Sequence, residues 1–256
     1  MTAKLHWQTE GQGSDLVLIH GWGMNGAVWQ QLLPLLTPHY RVHAVDLPGY
    51  GHSRELSAES VDEMAYILLE NSPESAVWLG WSLGGLVATR AALLAPERVG
   101  KLVTVASSPR FAAQNTWRGI KPQVLDDFRR QLGEDFQQTV ERFMALQAMG
   151  SPTARQDIKQ LKQAVLSRPQ PAPSALEIGL KQLAEVDLRE QLSEVSQPWL
   201  RLYGRLDGLV PVKVASELDE LAPQSQRQVF ASASHAPFIS HPEEFVQALR
   251  LFTGHH

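Results

Sequence analysis

The chain has no cysteine. Disulfides, thiolate nucleophiles and cysteine-bearing metal sites are therefore excluded, which fits a cytoplasmic location. No window approaches the roughly 18 to 20 consecutive apolar residues of a membrane span. Residues 1–15 lack a basic segment followed by an apolar core, so they do not read as a secretory leader. Positive charge is not in excess either: 23 Lys and Arg stand against 27 Asp and Glu, a formal net charge of -4. A field of that sign gives no reason to expect nucleic acid. Neither a nucleic-acid nor a membrane partner is expected, and the chain is expected to be a monomer.

What is present is ordinary globular composition, 43% apolar and 20% charged over 256 residues, enough for one sizeable core. Apolar runs predict strands at residues 16–20, 41–46, 76–80, 101–107, 198–204 and 227–232. An amphipathic stretch over 27–36 and helical patterns over 61–71, 83–95, 212–221 and 243–252 stand between or after them. Near-continuous apolar strands separated by helices predict a mostly parallel sheet covered on both faces. Between residues 111 and 184 the strand rhythm stops and helical periodicity takes over, with prolines at 152, 169, 171 and 173 punctuating it. The predicted organisation is an α/β core over 1–110 and 185–256 with a helical insertion over 111–184.

Residues 79–85 read LGWSLGG, and Gly80-Trp81-Ser82-Leu83-Gly84 matches G-x-S-x-G between a predicted strand and a predicted helix. A serine on so sharp a turn presents its hydroxyl clear of the backbone. It is also a weak nucleophile that needs a base, and the base needs a partner to fix its tautomer. Asp207 and His235 follow Ser82 in the chain, each just past a predicted strand, where a parallel sheet gathers its ligand crevice. Asp219 reads as a solvated helix-face carboxylate, and His241 as the entry to the last helix. An oxyanion needs two donors. The backbone N–H of Leu83, opening the helix after Ser82, supplies one, and that of Trp22 in "HGWG" (residues 20–23) supplies the other. The expected catalytic residues are Ser82, Asp207 and His235, with no metal and no organic cofactor.

These segments, with "DLPGYGHS" (46–53), "DGLVP" (207–211) and "SHAPFISHPEEF" (234–245), resemble the α/β-hydrolase superfamily. Ser234 departs from that pattern, in which glycine often precedes the histidine. "WLGWSLGGLVA", "VTVASSP", "GIKPQVL", "TVERFMALQAMG", "TARQD" and "LRLYGRLDGLVP" narrow the resemblance to the enterobacterial pimeloyl-[acyl-carrier protein] methyl ester esterases of biotin synthesis. The resemblance implies an α/β-hydrolase fold with an inserted helical lid subdomain, and a serine esterase that removes the methyl group from a pimeloyl chain held on acyl-carrier protein.

On that reading Trp22, Leu83, Trp81, Phe143, Leu146 and Gln147 line the substrate channel, the last three recurring at helical i, i+3, i+4 spacing. Arg142, Arg155 and Lys159, with Lys162, form a basic face for the acidic carrier, and Asp157 stands beside it as a partial counter-charge. Gln138 departs from the family pattern, in which arginine can occupy that position. A general short-chain carboxylesterase, a thioesterase, a C–C hydrolase, an acyltransferase and a non-catalytic small-ligand receptor on the same fold remain open. The His255-His256 pair is left out of the functional reading.

Overall fold

A computed structural model describes residues 4–255. Its strands are β1 (His6–Glu10), β2 (Ser14–Ile19), β3 (Tyr40–Asp46), β4 (Ala76–Trp81), β5 (Val99–Val105), β6 (Trp199–Gly204) and β7 (Gln226–Phe230). They form one sheet in the order β1-β3-β2-β4-β5-β6-β7. All six predicted strands are present and every pairing among them is parallel. β1 was not expected. It is an edge strand antiparallel to β3, only partly buried, and His-Trp-Gln-Thr-Glu has no apolar run to announce it.

The stretch 27–36 is not one helix. It splits into a 3-10 turn over Gly26–Trp29 and a single turn α1 (Leu33–Leu36). Pro34 explains the break: in a continuous helix its ring would meet the carbonyl of Gln30, and it has no N–H to give. α2 (Val61–Asn71) and α3 (Leu83–Leu94) follow β3 and β4. Four helices then stand between β5 and β6: α4 (Pro122–Glu134), α5 (Phe136–Ala148), α6 (Ala154–Leu166) and α7 (Pro173–Glu185). α8 (Lys213–Leu221), α9 (Pro237–Ser240) and α10 (Pro242–Thr253) complete the chain. Among the described residues no helix is long and apolar enough to cross a membrane.

The strand order places the site. β3 leaves β2 on one side and β4 lies on the other, so the loops after β2 and β4 diverge at a switch point, where an open parallel sheet has its crevice. Leu16, Val17, Leu18 and Ile19 of β2 are fully buried, as a strand covered on both faces must be.

The helical insertion is fastened to this core by buried polar contacts. Arg168, just after α6, donates to Asp46 Oδ1 at 2.6 Å and also to Gln8 Oε1. The Asp46 side chain is fully buried and also accepts the N–H groups of Gly26 and His52. Asn25 Nδ2 donates to the carbonyls of Ala164 and Val165 in the last turn of α6, where carbonyls run short of intrahelical donors. Two sequence expectations change here. Asp157 is not a counter-charge on the basic face: it is buried and accepts from Ser151 Oγ at 2.9 Å. Asp219 is not simply solvated, because it receives the fully buried Arg201 at 2.6 Å.

Breaking a buried ion pair on one side leaves an uncompensated charge, at a cost of roughly 3 to 5 kcal/mol, whereas an exposed pair contributes at most about 1 kcal/mol. Arg168→Met should therefore lower the urea-unfolding free energy by about 3 kcal/mol. Lys162→Ala, which removes the half-exposed pair with Glu141, should shift it by less than about 1 kcal/mol. Equal losses would show that the Arg168–Asp46 contact does not fasten the insertion.

Candidate active site

β4 ends in a turn that most residues avoid. Ser82 has φ 56° and ψ -120°, a left-handed conformation imposed on a residue with a side chain. Such backbone costs on the order of 1 to 3 kcal/mol and persists only where its surroundings over-determine it. Here they do. Ser82 N donates to Val105 O, its carbonyl accepts Gly85 N, and Ser107 Oγ donates to the same carbonyl at 2.9 Å. Close packing leaves no room for side chains alongside: a Cβ on Gly80 would lie 2.1 Å from Gly84 O, and one on Gly84 2.4 Å from Ile19 O.

The loops after β6 and β7 bring in the predicted partners. Asp207 Oδ1 accepts the N–H groups of Leu209 and Val210, at 2.8 and 3.0 Å. Its Oδ2 is left to face His235 Nδ1 at 2.7 Å. A carboxylate held in this way fixes the proton on Nδ1 and turns Nε2 into the acceptor. Nε2 is buried and has no hydrogen-bond partner among the described residues. The His235 main chain is held on both sides: its carbonyl accepts Trp81 Nε1 at 2.8 Å, and its N–H donates to Gln147 O at 3.0 Å. Ser82, Asp207 and His235 are 2%, 6% and 0% exposed, so all three are buried.

The "HGWG" loop abuts Ser82, since a Cβ on Gly21 would stand 3.1 Å from Ser82 Cβ. Among the described residues the backbone N–H groups of Trp22 and Leu83 donate to no protein oxygen. Leu83 opens α3, where the helix dipole adds a partial positive charge. The two donors suit an oxyanion formed at Ser82.

Trp22 Nε1 is committed elsewhere, to Leu176 O of α7 at 2.9 Å. Its ring meets Phe143 edge-on at 4.7 Å, and Phe143 meets Phe128 at 5.4 Å. Gln147 is 1% exposed and neither its amide oxygen nor its nitrogen has a partner among the described residues. Leu146 is half-buried against the core. Trp81 sits behind His235: besides its bond to the His235 carbonyl, its ring packs edge-on against Phe238 and Trp29.

Three supports escaped the sequence reading. His20 is fully buried, with Nδ1 donating to Gly21 O at 2.8 Å and Nε2 accepting Leu47 N at 3.0 Å. Tyr50 Oη donates to Ala175 O. Gly179 of α7 presses so close to the oxyanion loop that a Cβ there would lie 2.5 Å from Trp22 Cδ1. His20 and Tyr50 both lie in stretches noted for other reasons, "HGWG" and "DLPGYGHS". Nothing in those motifs names their partners.

Fold and site together define a class. The chain belongs to the α/β hydrolase fold family, which matches residues 16–242. It is 80% identical over 252 residues to the pimeloyl-[acyl-carrier protein] methyl ester esterase of Photobacterium profundum, covering 98% of this chain and 99% of that one. To the protein of the same name from Vibrio vulnificus it is 64% identical over 254 residues, covering 99% and 100%. An esterase structure from Exiguobacterium antarcticum superposes with a TM-score of 0.86 at 21% identity, over 98% of this chain and 95% of that one, a likeness of fold.

Burial lowers the His20 pKa from its ordinary 6.5 to about 4, with the Asp46 carboxylate opposing the shift. The neutral ring is the native form. Above 6.5 both folded and unfolded states are neutral there; as pH falls from about 6.5 to about 4 only the unfolded state takes the proton. Stability contributed at this position is thus present at neutral pH and lost across that interval, by roughly 3 kcal/mol. Urea unfolding of His20→Gln at neutral pH and at about pH 4.5 should show a correspondingly smaller acid loss than the parent chain. An identical loss in both would contradict it.

Proposed function

We propose that this chain hydrolyses the methyl ester of a pimeloyl group carried on acyl-carrier protein, releasing methanol. The observation that carries the chemistry is His235, held by Asp207 through Nδ1, unpartnered at Nε2 and bonded through its carbonyl to Trp81, the residue before a serine on a strained turn. The full-length identity to esterases of that name supports the substrate.

In the proposed mechanism His235 Nε2 takes the hydroxyl proton as Ser82 Oγ attacks the ester carbonyl, and Asp207 stabilises the imidazolium. The N–H groups of Trp22 and Leu83 hold the oxyanion; loss of one such donor costs on the order of 3 kcal/mol of transition-state stabilisation. The imidazolium returns its proton to the methoxy oxygen, and methanol leaves an acyl-Ser82 ester. Water then gives a proton to His235 and its oxygen to the acyl carbon; the imidazolium returns that proton to Ser82 Oγ as the acyl bond breaks, and the freed acid ionises to the carboxylate.

The insertion, residues 111–184, acts as a lid on this reading. Phe143, Leu146 and Trp22 form the apolar wall of the acyl channel, and the orphaned Gln147 amide supplies the polar contact an ester in that channel needs. Trp81 contributes to the wall from behind His235.

The carrier docks on the outer face of the lid. Arg155 and Lys159 are exposed on α6 and line a surface groove with Gln156, Gln160 and Gln163. Arg142 is exposed on α5, steadied by Gln131 Oε1 at 2.7 Å and by the Phe128 ring. Lys162 is engaged by Glu141 and contributes less.

Purified protein should cleave the carrier-linked methyl ester, and a free short-chain methyl ester more slowly. Arg155→Glu with Lys159→Glu should lower kcat/KM for the carrier-linked ester roughly tenfold or more, an effect of about 1.4 kcal/mol, and spare the free ester. Cleavage of the free ester alone would leave a general carboxylesterase. Equal loss on both substrates would refute docking on this face.

A further inference from the structure

Ser234, where the family pattern often has glycine, is 2% exposed, and its hydroxyl is not idle. Ser234 Oγ donates to Met149 O at 3.0 Å, and the next residue's N–H, that of His235, donates to Gln147 O. α5 ends at Ala148 with Met149 as its C-cap, so two carbonyls at the end of a lid helix, those of Gln147 and Met149, are satisfied by the segment bearing the catalytic base. The same strap crosses the acid's loop: Met149 Cε lies 3.9 Å from where a Cβ on Gly208 would stand. Leu206 N donates to Ala233 O, tying the two loops together beneath the strap.

We infer that Ser234 is a positioning residue for His235, acting through the lid, and that closing the lid and setting the base are one event. The inference rests on His235 being the base. With the lid down, Ser82 and His235 are sealed from solvent, so an ester enters only when the α5 end of the lid lifts. Lifting it breaks both bonds to the strap and leaves His235 held by Asp207 and by Trp81. The base is fully placed only when the lid has come down on the substrate, which limits proton transfer to the closed complex. Glycine or alanine at position 234 would leave a single bond between strap and base.

Amide exchange at His235 reads the strap directly and needs no turnover. In Ser234→Ala, exchange at the His235 amide should rise roughly fivefold, the factor for losing one hydrogen bond, while amides of α3 keep their protection. kcat on a free short-chain ester should fall by a similar factor with KM little changed, and Ser234→Thr, which keeps the hydroxyl, should recover most of both. The inference is overturned by unchanged exchange at His235, by α3 amides rising in step with it, or by a full kcat despite faster exchange. Ser82→Ala tests the triad separately: retained activity there would remove the serine nucleophile whatever the exchange shows.

Discussion

The structure turns on the backbone at Ser82. Between Gly80 and Gly84 the chain leaves the middle of a parallel sheet and starts a buried helix. That is possible only because neither glycine carries a Cβ: the Gly84 carbonyl crowds Gly80, and the Ile19 carbonyl crowds Gly84. The positive φ of Ser82 follows from the turn, and the presented hydroxyl and the open N–H of Leu83 follow from the φ. The strain is offset by three local hydrogen bonds and by the packing of α3, whose residues from Leu83 to Thr89 are all buried. One local constraint thus sets nucleophile and oxyanion donor together.

Around that turn, buried polar contacts hold the helices between β5 and β6 against the rest of the chain. α7 is fixed to the oxyanion side through Trp22 and Tyr50, and Arg168 is fixed beneath it to Asp46. The end of α5 is fixed to the base side through the Gln147 and Met149 carbonyls. The first set includes an ion pair to the fully buried Asp46, which is costly to break on one side. The second consists of hydrogen bonds between neutral groups, so opening it leaves no charge unpaired. The two halves of the insertion therefore differ in what it costs to lift them.

Much of this was legible in the residues. Six of seven strands announced themselves as apolar runs, and G-x-S-x-G with Asp207 and His235 in order picked out a strained turn at the end of β4 and a carboxylate–imidazole pair that the structure brings together. The resemblance to methyl ester esterases agrees with the full-length identities. What escaped had physical reasons. β1 is an edge strand whose alternation is blurred by polar residues. Arg168 and Asp46 lie 122 positions apart, and Arg201 and Asp219 sit on different elements, so neither pairing has a local signature. The fastening of His235 to Gln147 is main chain to main chain, which no residue type encodes. Ser234 stood out as a departure from pattern, but its partner is a carbonyl 85 residues away.

In the proposed reaction Ser82 is acylated by the pimeloyl chain while that chain is still attached to its carrier. Acid-quenched single turnover of the carrier-linked methyl ester, followed by intact mass analysis, tests it directly. A transient covalent adduct of this chain with the ester-loaded carrier protein is expected, lighter by one methanol than the sum of those two, mapped to Ser82 and missing in Ser82→Ala. Turnover of the methyl ester by Ser82→Ala at the rate of the parent chain would contradict it.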